Sequence, residues 1–472
     1  MTLTADSDPR PVHFVGIAGA GMRALAELLA RRGVPVTGCD ANPGWTGDLE
    51  ALGIAVAKGH DPEHVTGARE LIVTSAMSKN HPELLRAREL GIPITRRAEA
   101  LGQAVAGGRL IAIAGTHGKT TTTVMTTATL AAAGLKPTGI AGGRVAEWKG
   151  NLHYESDELF VVEADEYDRS FLSLSPNVAV VTNVEADHLD IYRDLEDIRA
   201  TFSRFARGAA AIVLCDDDAG ARSIDLPASA EVIRYGIKSR DARLVASDVR
   251  SIGQATTFSV SYDGDSFGDV ALRVPGLHNV QNALAAIGAG LSLGLTLDAM
   301  RPGLLEFGGV DRRFQRLCDV VGVTIIDDYA HHPTEIVATL QAARASYPGR
   351  RIVAAFQPHL FTRTRDFSDA FGQALSGADC VFLAEIYPAR EQPIDGVTSD
   401  LVAISTKRAG RVVTWQGPRS ELADALAKFV TDGDVVITIG AGDITRTGPE
   451  LKTRLETQST DASLKVRPGG PK

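Results

Sequence analysis

The sequence is poor in cysteine and aromatic residues, and it has no long hydrophobic run. Four cysteines occur in 472 residues, without the C-x-x-C or Cys/His spacing of a structural zinc site. This scarcity predicts a reducing compartment and no disulfides. No apolar run reaches the roughly 18 residues of a membrane-spanning helix, and residues 1–11 lack the basic and apolar segments of a secretory signal. We therefore expect a cytoplasmic protein with no membrane partner.

An excess of positive charge is also missing. The chain has 49 Lys and Arg residues against 58 Asp and Glu residues, which gives a net charge of −9 and a pI near 5.7. Surfaces that bind nucleic acid are basic, so we expect no nucleic-acid partner. Anionic nucleotides are still compatible with this charge, because loops and metal ions neutralise them locally. Both a monomer and a homodimer fit the sequence.

An apolar strand that runs into a glycine-lysine-threonine turn is the most informative motif. Ile111–Ala114 predicts the strand, and the residues from Lys119 onwards predict a helix. This arrangement directs backbone N–H groups at a phosphate, with a lysine for the outer oxygens and a hydroxyl for Mg²⁺. Ile113 occupies a position where the common phosphate-loop pattern has glycine, and an ordinary strand–helix turn is the alternative. The predicted nucleoside triphosphate site consists of Gly115, Thr116, His117, Gly118, Lys119, Thr120 and Thr121.

Strand and helix patterns alternate along the chain, which predicts an α/β fold with parallel sheets covered by helices. A chain of 472 residues is too long for a single core. Alternating stretches at 256–262 and 270–274 add antiparallel strands to the middle segment. The polar C-terminus ends in Pro-Gly-Gly-Pro-Lys and predicts a flexible tail. We expect three domains and a tail, at residues 1–108, 109–312, 313–455 and 456–472.

Two polar residues follow neighbouring predicted strands of the middle segment. Glu163 closes the strand that begins at Leu159, and His188 comes after the strand Val178–Val181. A carboxylate at the carboxyl end of a strand, beside a phosphate loop, suits the oxygen-preferring Mg²⁺ ion. A single histidine there is also compatible with a buried, hydrogen-bonded imidazole. We predict that Thr120, Glu163 and His188 are metal ligands.

A second glycine turn follows the first predicted strand. Gly16, Gly19 and Gly21 depart from the G-x-G-x-x-G pattern by the two residues between the first two glycines. Asp40 follows about 20 residues later, as a ribose-binding acid does in dinucleotide-binding domains. Taken alone, this turn is compatible with an NAD site of a dehydrogenase as well as with another nucleotide.

Six motifs, in order, resemble the Mur ligase family over nearly the whole chain, from His13 to Ile444. The double histidine after Asp328-Tyr329, the segment Phe356–His359 and the segment Gly440–Ile444 most resemble the members that add L-alanine. The six motifs are Gly115–Thr120, Glu163–Glu166, Thr182–Asp190, His278–Ala283, Asp311–Phe314 and Asp327–Pro333.

The resemblance implies both a fold and a reaction. It implies an N-terminal Rossmann-like domain for UDP, a central P-loop ATPase-like domain with a mixed sheet, and a C-terminal Rossmann-like domain for the amino acid. The implied reaction joins L-alanine to the lactyl carboxylate of UDP-N-acetylmuramate, with ATP and Mg²⁺, in peptidoglycan synthesis. A carboxylate is a poor electrophile, and transfer of the γ-phosphoryl group would turn it into an acyl phosphate that an amine can attack.

The same resemblance assigns roles around ATP. Lys119 would contact the β- and γ-phosphates, while Glu163 and His188 would hold Mg²⁺. Arg313 would reach the γ-phosphate after domain closure, and Asp328 would bind the ribose. Nucleotide contacts are also implied for Asn279 and Asn282, although Asn279 is compatible with a simple helix N-cap.

Contacts to the two other substrates follow from the resemblance. The UDP-sugar would lie on the glycine turn, and the third domain would receive alanine. Solvated positions are the alternative for Arg97 and for the two arginines of the alanine set. No lysine occurs between Leu189 and Arg207, so the carbamylated lysine of related ligases is absent. The candidates are Gly16, Gly19, Gly21, Asp40, His60, Ser75 and Arg97 for the UDP-sugar, and His331, His332, His359, Arg363 and Arg365 for alanine.

Two other functions compete with this interpretation. The first is a murein-recycling ligase, which joins the same nucleotide sugar to a ready-made tripeptide. The second is a nucleotide-binding regulator that hydrolyses ATP without joining anything. A ligase needs both co-substrates for full phosphate release, whereas a plain ATPase does not.

Overall fold

The computed structural model describes residues 8–74, 77–239, 241–389 and 391–465. These residues form two compact units. The first unit holds the described residues up to Val249, with Thr257–Arg273 and Asn279–Val310. The second holds Arg250–Thr256, Val274–His278 and the described residues from Asp311 onwards.

The first unit begins with a small parallel sheet. Its strands and helices are β1 Val12–Val15, α1 Ala20–Arg31, β2 Val36–Asp40, α2 Gly47–Glu50, β3 Ala55–Lys58, β4 Glu70–Val73, α3 Pro82–Glu89, β5 Ile94–Arg96 and α4 Arg97–Val105. The strand order is β3-β2-β1-β4-β5, so the order reverses at β1. Ligands of open parallel sheets bind at such a reversal, beyond the carboxyl ends of the strands. The glycine turn after β1 is located there.

A ten-stranded mixed sheet follows. Its strands are β6 Arg109–Ala114, β7 Pro137–Val145, β8 Gly150–His153, β9 Leu159–Glu163, β10 Val178–Val181, β11 Ala211–Cys215, β12 Glu231–Gly236, β13 Leu244–Ile252, β14 Ala255–Tyr262 and β15 Asp265–Leu272. The strand order is β15-β14-β13-β12-β11-β10-β6-β9-β7-β8, with β6 between β10 and β9. Three parallel strands therefore end side by side, and the phosphate loop, Glu163 and His188 all follow these strands.

The helices that accompany this sheet are α5 Lys119–Ala132, α6 Leu195–Ala206, α7 Ala219–Arg222, α8 Leu277–Leu291 and α9 Leu297–Glu306. Strand β6 is almost wholly buried, as expected for a central parallel strand. Helix α1 packs on β7 and β8, and one apolar core extends from Phe14 of the first sheet to Phe160 and Phe202. The glycine turn and the phosphate loop thus belong to one packed unit.

The second unit is built on a six-stranded sheet in the order β16-β17-β21-β18-β19-β20, in which β16 is antiparallel to β17. Its elements are β16 Gln315–Val320, β17 Val323–Asp328, α10 Pro333–Ser346, β18 Ile352–Phe356, α11 Phe361–Leu375, β19 Cys380–Ala384, α12 Asp400–Arg408, β20 Val413–Gly417, α13 Arg419–Phe429, β21 Val435–Ile439 and α14 Thr447–Lys465. Together with the two other sheets, it confirms the predicted α/β class with three sheet-containing segments.

The C-terminal helix corrects one expectation. Helix α14 continues to Lys465, although we expected a loose tail from residue 456. Polar residues do not end a helix by themselves, and Lys452 and Glu456 form an i,i+4 ion pair within α14. Among the described residues, no helix is both long and apolar enough to cross a bilayer.

Candidate active site

Two glycines shape the phosphate loop between β6 and α5. Gly115 has φ +143°, and a Cβ atom there would collide with Oγ1 of Thr182. Gly118 has φ +81° and is the N-cap of α5. Left-handed backbone of this kind favours glycine. The loop therefore turns tightly, and the N-terminus of α5 begins at Lys119 with backbone N–H groups that have no partner within the helix.

The segment after β10 anchors the loop from the side. Asn183 accepts hydrogen bonds from N–H of Thr116 (3.1 Å, to O) and of His117 (2.7 Å, to Oδ1). In return, Oγ1 of Thr182 donates to the carbonyl of His117 at 2.7 Å, and N–H of Glu185 donates to Oγ1 of Thr116 at 2.9 Å. The shape of the loop is therefore fixed by protein contacts. These bonds hold Thr116 and His117 within the loop.

Lys119 folds back over the loop. Its Nζ donates to the carbonyl of Gly115 at 2.7 Å and to both carboxylate oxygens of Glu166, at 2.7 and 3.0 Å. Burial alone would lower the pKa of Lys119, but the charges of Glu166, Asp165 and Glu163 raise it above its ordinary value. Lys119 is thus a positive charge held inside the phosphate loop.

Glu166 is a site residue that the sequence analysis did not single out. Its side chain is 3% exposed, and besides Lys119 it approaches Nε2 of His188 at 3.7 Å. Burial raises the pKa of Glu166, and the charge of Lys119 opposes that rise. The only sequence signal is its position in Glu163-Ala164-Asp165-Glu166, where three carboxylates follow one strand.

Thr120 and Glu163 contact each other at the start of α5. Oγ1 of Thr120 donates to Oε1 of Glu163 at 3.0 Å, and the backbone N–H of Gly142 in β7 donates to Oε2. A Cβ atom at Gly142 would lie 2.7–2.8 Å from the Glu163 carboxyl group, so the approach of β7 requires glycine there. The hydroxyl and the carboxylate are hard oxygen donors of the type that Mg²⁺ prefers.

His188 lies beside Glu166. It has φ +54°, and its ring stacks edge-on against Tyr167 at 5.1 Å between centroids. Its Nε2 also lies 3.7 Å from Oδ2 of Asp187. The structure therefore brings both pairs to one edge of the sheet, although β9 and β10 are not neighbours as expected, because β6 lies between them.

Asn279 and Asn282 lie within α8 and are buried. Because α8 begins at Leu277, Asn279 is not an N-cap, which removes that alternative. Oδ1 of Asn282 accepts from Oγ1 of Thr122 at 3.1 Å and lies 2.7 Å from the Cβ position of Gly118, and Nδ2 of Asn282 donates to Oδ1 of Asn279. These contacts place Asn282 behind the phosphate loop, where it supports the start of α5. Thr121 is buried in the same helix start.

The glycine turn after β1 has the geometry of a phosphate-binding turn. Gly16 has φ +83°, and a Cβ atom at Gly21 would lie 2.9 Å from Nη1 of Arg97. Gly19 is the N-cap of α1. Oδ2 of Asp40 accepts from N–H of Ala18 at 3.1 Å. The turn therefore has an acidic group on one side and a guanidinium over the helix start on the other.

His60 follows β3 at the same sheet edge. Its Nδ1 lies 3.2 Å from Oε2 of Glu83 and 3.4 Å from Sγ of Cys39. These contacts turn Nδ1 towards the protein interior. Ser75, the remaining candidate for the UDP-sugar, lies outside the described residues.

In the second unit, the Asp328 carboxylate at the end of β17 binds backbone N–H groups of two segments, one before β16 and one after β17. Oδ2 accepts from N–H of Phe314 and Oδ1 from N–H of Ala330, both at 2.7 Å. Burial raises the pKa of the Asp328 carboxyl group to about 6, although Arg313 and these two bonds act in the opposite direction. The carboxylate therefore holds the loop that carries Arg313, in addition to any contact with a ribose.

Arg313 and His331 both contact Tyr329. The guanidinium of Arg313 stacks over the Tyr329 ring at 5.0 Å and approaches Glu335 at 3.7 Å. Nδ1 of His331 contacts the carbonyl of Tyr329 at 3.0 Å, and the His331 ring lies 6.1 Å from that of His359. Tyr329 and Glu335 hold these candidates in place, and the sequence analysis had assigned no role to either.

His332 is the N-cap of α10. Nδ1 accepts from N–H of Thr334 at 3.4 Å, and the ring packs against Phe367 at 5.0 Å. His332 is 5% exposed. Its observed contacts are structural, whereas His331 and His359 lie together, with His359 stacked on Tyr387 at 5.8 Å.

The two candidate arginines of α11 have different environments. Arg363 is 7% exposed, whereas the Arg365 side chain is 53% exposed and pairs with Asp366 at 2.7 Å. Residues two positions apart on a helix point in different directions. Arg365 is therefore the solvated one of the two arginines. Arg363 faces the protein and is the better candidate for the alanine site.

Comparisons with known proteins identify the family of this chain. Three family models match in order: "Mur ligase family, catalytic domain" over residues 11–109, "Mur ligase middle domain" over 113–290 and "Mur ligase, glutamate ligase domain" over 312–442. Together they cover most of the chain.

Related proteins match over nearly their full length. A UDP-N-acetylmuramate–L-alanine ligase of Salinibacter ruber is 42% identical over 96% of both chains, and one of Burkholderia pseudomallei is 44% identical over 92% of this chain and 95% of its own. The crystal structure of a UDP-N-acetylmuramate–alanine ligase from Thermotoga maritima superposes with a TM-score of 0.81 at 30% identity, over 95% of this chain and all of that one. A murein peptide ligase from Psychrobacter arcticus shares the fold, with a TM-score of 0.69 at 24% identity, over 94% of this chain and 98% of its own. The chain therefore belongs to the Mur ligase family.

Proposed function

We propose that this chain joins L-alanine to the lactyl carboxylate of UDP-N-acetylmuramate at the expense of ATP. The products are UDP-N-acetylmuramoyl-L-alanine, ADP and phosphate, and the reaction is the first peptide step of peptidoglycan precursor synthesis. The observation that carries this proposal is the match, at 42–44% identity over more than nine-tenths of the chain, to ligases of that name. The Lys119 loop and its neighbouring carboxylates supply the chemistry that such a ligase needs.

The chemistry starts from the poor reactivity of a carboxylate towards an amine. Transfer of the γ-phosphoryl group to the lactyl carboxylate gives an acyl phosphate with a good leaving group. The amino group of alanine then attacks the acyl carbon, and the tetrahedral intermediate expels phosphate to leave the amide. Catalysis of this kind consists mainly of charge neutralisation and positioning. Lys119 and the N-terminus of α5 supply the positive field for the phosphates.

Mg²⁺ fits the oxygen donors beside the loop. Thr120 Oγ1 and Glu163 Oε1 lie 3.0 Å apart at the start of α5, and Gly142 fixes the carboxylate from the other side. Thr120 and Glu163 would hold the ion, with His188 as a further candidate next to Glu166. When bound, the ion neutralises phosphate charge during transfer.

The sites for the UDP-sugar and for alanine are proposed from the positions of the candidate residues in the fold. The glycine turn with Gly16, Gly19, Gly21, Asp40 and Arg97 is the proposed UDP-sugar site. The alanine site would use Arg363, His331 and His359, and Arg313 would act on the γ-phosphate. We further propose the domain boundaries 1–108, 109–312 and 313–455, a cytoplasmic location, and a monomer or a homodimer.

A murein-recycling ligase is the nearest competing function. The Psychrobacter arcticus structure, titled a murein peptide ligase, is 24% identical, and that similarity supports the fold alone. The alanine-adding relatives are much closer in sequence. A regulator that only hydrolyses ATP is the second alternative.

Oxygen-isotope transfer tests the proposal. The lactyl carboxylate of UDP-N-acetylmuramate is labelled with ¹⁸O and incubated with protein, ATP, Mg²⁺ and L-alanine. We expect one labelled oxygen in the released phosphate, and a product whose mass corresponds to one added alanine. Unlabelled phosphate would refute the acyl phosphate. Phosphate release that does not need alanine would favour the ATPase, and a product formed only with the tripeptide would favour the recycling ligase.

A further inference from the structure

Three histidines surround one buried carboxylate in the first sheet domain. Glu83, in α3, has a fully buried side chain, and its Oε2 lies 3.2 Å from Nδ1 of His60 and 3.7 Å from Nδ1 of His81. Its Oε1 lies 2.9 Å from Nδ1 of His64. The rings of His60 and His81 pack edge to face at 4.6 Å. His60 is a sequence candidate for the UDP-sugar, whereas His64 and His81 have no role in the functions assigned above.

A thiol completes the cluster. Sγ of Cys39, at the end of β2, lies 3.1 and 3.3 Å from the two oxygens of Glu83 and 3.4 Å from Nδ1 of His60. Cys39 is fully buried, whereas the side chains of His60 and His81 are 24% and 16% exposed. The donors are therefore close to each other and reachable from solvent on the histidine side.

One ring nitrogen of the cluster has no hydrogen-bond partner. Nδ1 of His81 is buried and makes no hydrogen bond to the described residues, and the same holds for Nε2 of the neighbouring His13. Buried polar atoms are almost always paired, because leaving them unpaired costs free energy. Nδ1 of His81 lies 3.7 Å from Oε2 of Glu83, and a neutral imidazole nitrogen is a common metal ligand.

We propose that His60, His81 and Glu83, with Cys39 as a fourth donor, bind a divalent transition metal ion of the Zn²⁺ type. Bonds of about 2.0–2.1 Å to nitrogen and about 2.3 Å to sulfur place neighbouring donors of a tetrahedral site roughly 3.3–3.8 Å apart. The observed separations of 3.2, 3.4 and 3.7 Å come close to that range. Nitrogen and sulfur donors favour Zn²⁺, Co²⁺ or Ni²⁺ over Mg²⁺.

His64 would position this site from outside. Its Nδ1 lies 2.9 Å from Oε1 of Glu83, and N–H of Asp61 donates to the same carboxylate oxygen at 3.2 Å. Such outer contacts orient a ligating carboxylate. On metal binding, the Cys39 thiol loses its proton to solvent and the thiolate coordinates the ion.

The site lies next to the proposed UDP-sugar turn. The carbonyl of Cys39 accepts hydrogen bonds from N–H of Gly16 at 2.8 Å and of Ile17 at 3.1 Å. A metal ion held by Cys39 would therefore fix the end of β2 against the glycine turn. The ion would act as a structural clamp on this turn, separate from the Mg²⁺ of the ATP site.

Cobalt binding to the full-length protein tests the site. The protein is freed of metal with a chelator and titrated with Co²⁺ in excess Mg²⁺, which occupies the oxygen donors at Thr120 and Glu163. We expect one tightly bound equivalent, with the visible ligand-field bands of tetrahedral Co²⁺ and a near-ultraviolet thiolate-to-cobalt band. Zn²⁺ should displace it and abolish both signals. Absence of a tight equivalent in the parent protein would overturn the proposal.

Single substitutions test whether Co²⁺ binds at this cluster. His81→Asn is the main variant, because His81 is partly exposed, whereas replacement of the buried Glu83 risks unfolding; circular dichroism checks the fold. We expect His81→Asn to lose the tight equivalent and Cys39→Ser to lose the thiolate band. The control His153→Asn removes a histidine that lies 3.6 Å from Glu155 and should bind as the parent does. Tight binding by His81→Asn equal to that of the parent would overturn the proposal, whatever the ligase activity.

Discussion

Lys119 and Glu166 form a buried pair in which each residue neutralises the other. Breaking a buried ion pair by removing one partner leaves an uncompensated charge, which costs about 3–5 kcal/mol. We therefore predict that Lys119→Ala abolishes ligation and also lowers the free energy of unfolding of the first unit by about 3 kcal/mol. Product formation and urea unfolding, followed by fluorescence, measure the two effects.

A double variant separates the effect of the buried charges on stability from the effect of Lys119 on ligation. Lys119→Met with Glu166→Gln removes both charges at similar volume, so stability should return towards the parent value while ligation stays absent. Normal ligation by Lys119→Ala would refute the role of this lysine. If Lys119→Ala is as stable as the parent, the buried carboxylate of Glu166 does not need the charge of Lys119 for stability.

The sequence could predict some of these residues and not others. Thr120 and Glu163 follow from the phosphate-loop motif and from the end of a strand, and the structure brings them within 3.0 Å. Glu166 could not be chosen over Asp165, because the choice depends on how the chain turns after β9. In that turn Asp165 caps N–H of Tyr167 at 3.1 Å, which leaves Glu166 to face Lys119.

At the level of elements, strand β7 approaches the carboxyl group of Glu163 closely at Gly142. A Cβ atom at Gly142 would lie 2.7–2.8 Å from the carboxyl group of Glu163. We predict that Gly142→Ala displaces this carboxylate and reduces kcat at least about tenfold, the order of loss caused by a misplaced supporting group, although no proposed ligand is removed. Steady-state kinetics at several Mg²⁺ concentrations measure the effect.

Gly208→Ala is the matched control for this variant. Gly208 lies after α6, and a Cβ atom there meets nothing within 4 Å. Its activity should equal that of the parent. Equal activity of Gly142→Ala and Gly208→Ala would mean that Glu163 is not held in a position that catalysis requires.

Central strands were easier to predict than edge strands. The predicted strand Val178–Val181 agrees with the observed β10, because buried parallel strands are continuous apolar runs. Strands β8 and β20 were missed, since Gly150–His153 and Val413–Gly417 mix polar and small residues at sheet edges. Arg363 and Arg365 lie in α11, because the helix starts directly after the turn at Leu360.

For the whole molecule, Arg313 belongs to one unit and the phosphate loop to the other. If Arg313 acts on the γ-phosphate only when both units hold the same nucleotide, its loss affects the transition state more than initial binding. We predict that Arg313→Ala lowers kcat by at least about tenfold and changes the Kd of ATP by less than about threefold, a difference of roughly 0.7 kcal/mol or more. Calorimetry and steady-state kinetics provide the two numbers.

Arg316→Ala is the control for Arg313. Arg316 lies on β16, half-exposed and paired with Asp319, without a proposed role. It should leave kcat and Kd unchanged. Equal losses of affinity and of kcat in Arg313→Ala would assign this residue to simple nucleotide binding.

If Lys119 contacts the phosphates of ATP as proposed, ATP replaces one anionic partner of this lysine with another. The lysine already has Glu166 at 2.7 Å, so an incoming ligand gains only the difference between its own attraction and that of the carboxylate. By this reasoning, a triphosphate with several negative oxygens competes with Glu166 better than a weakly charged anion does. We therefore expect the loop to bind a triphosphate more tightly than orthophosphate, because only the triphosphate brings enough negative charge to replace Glu166.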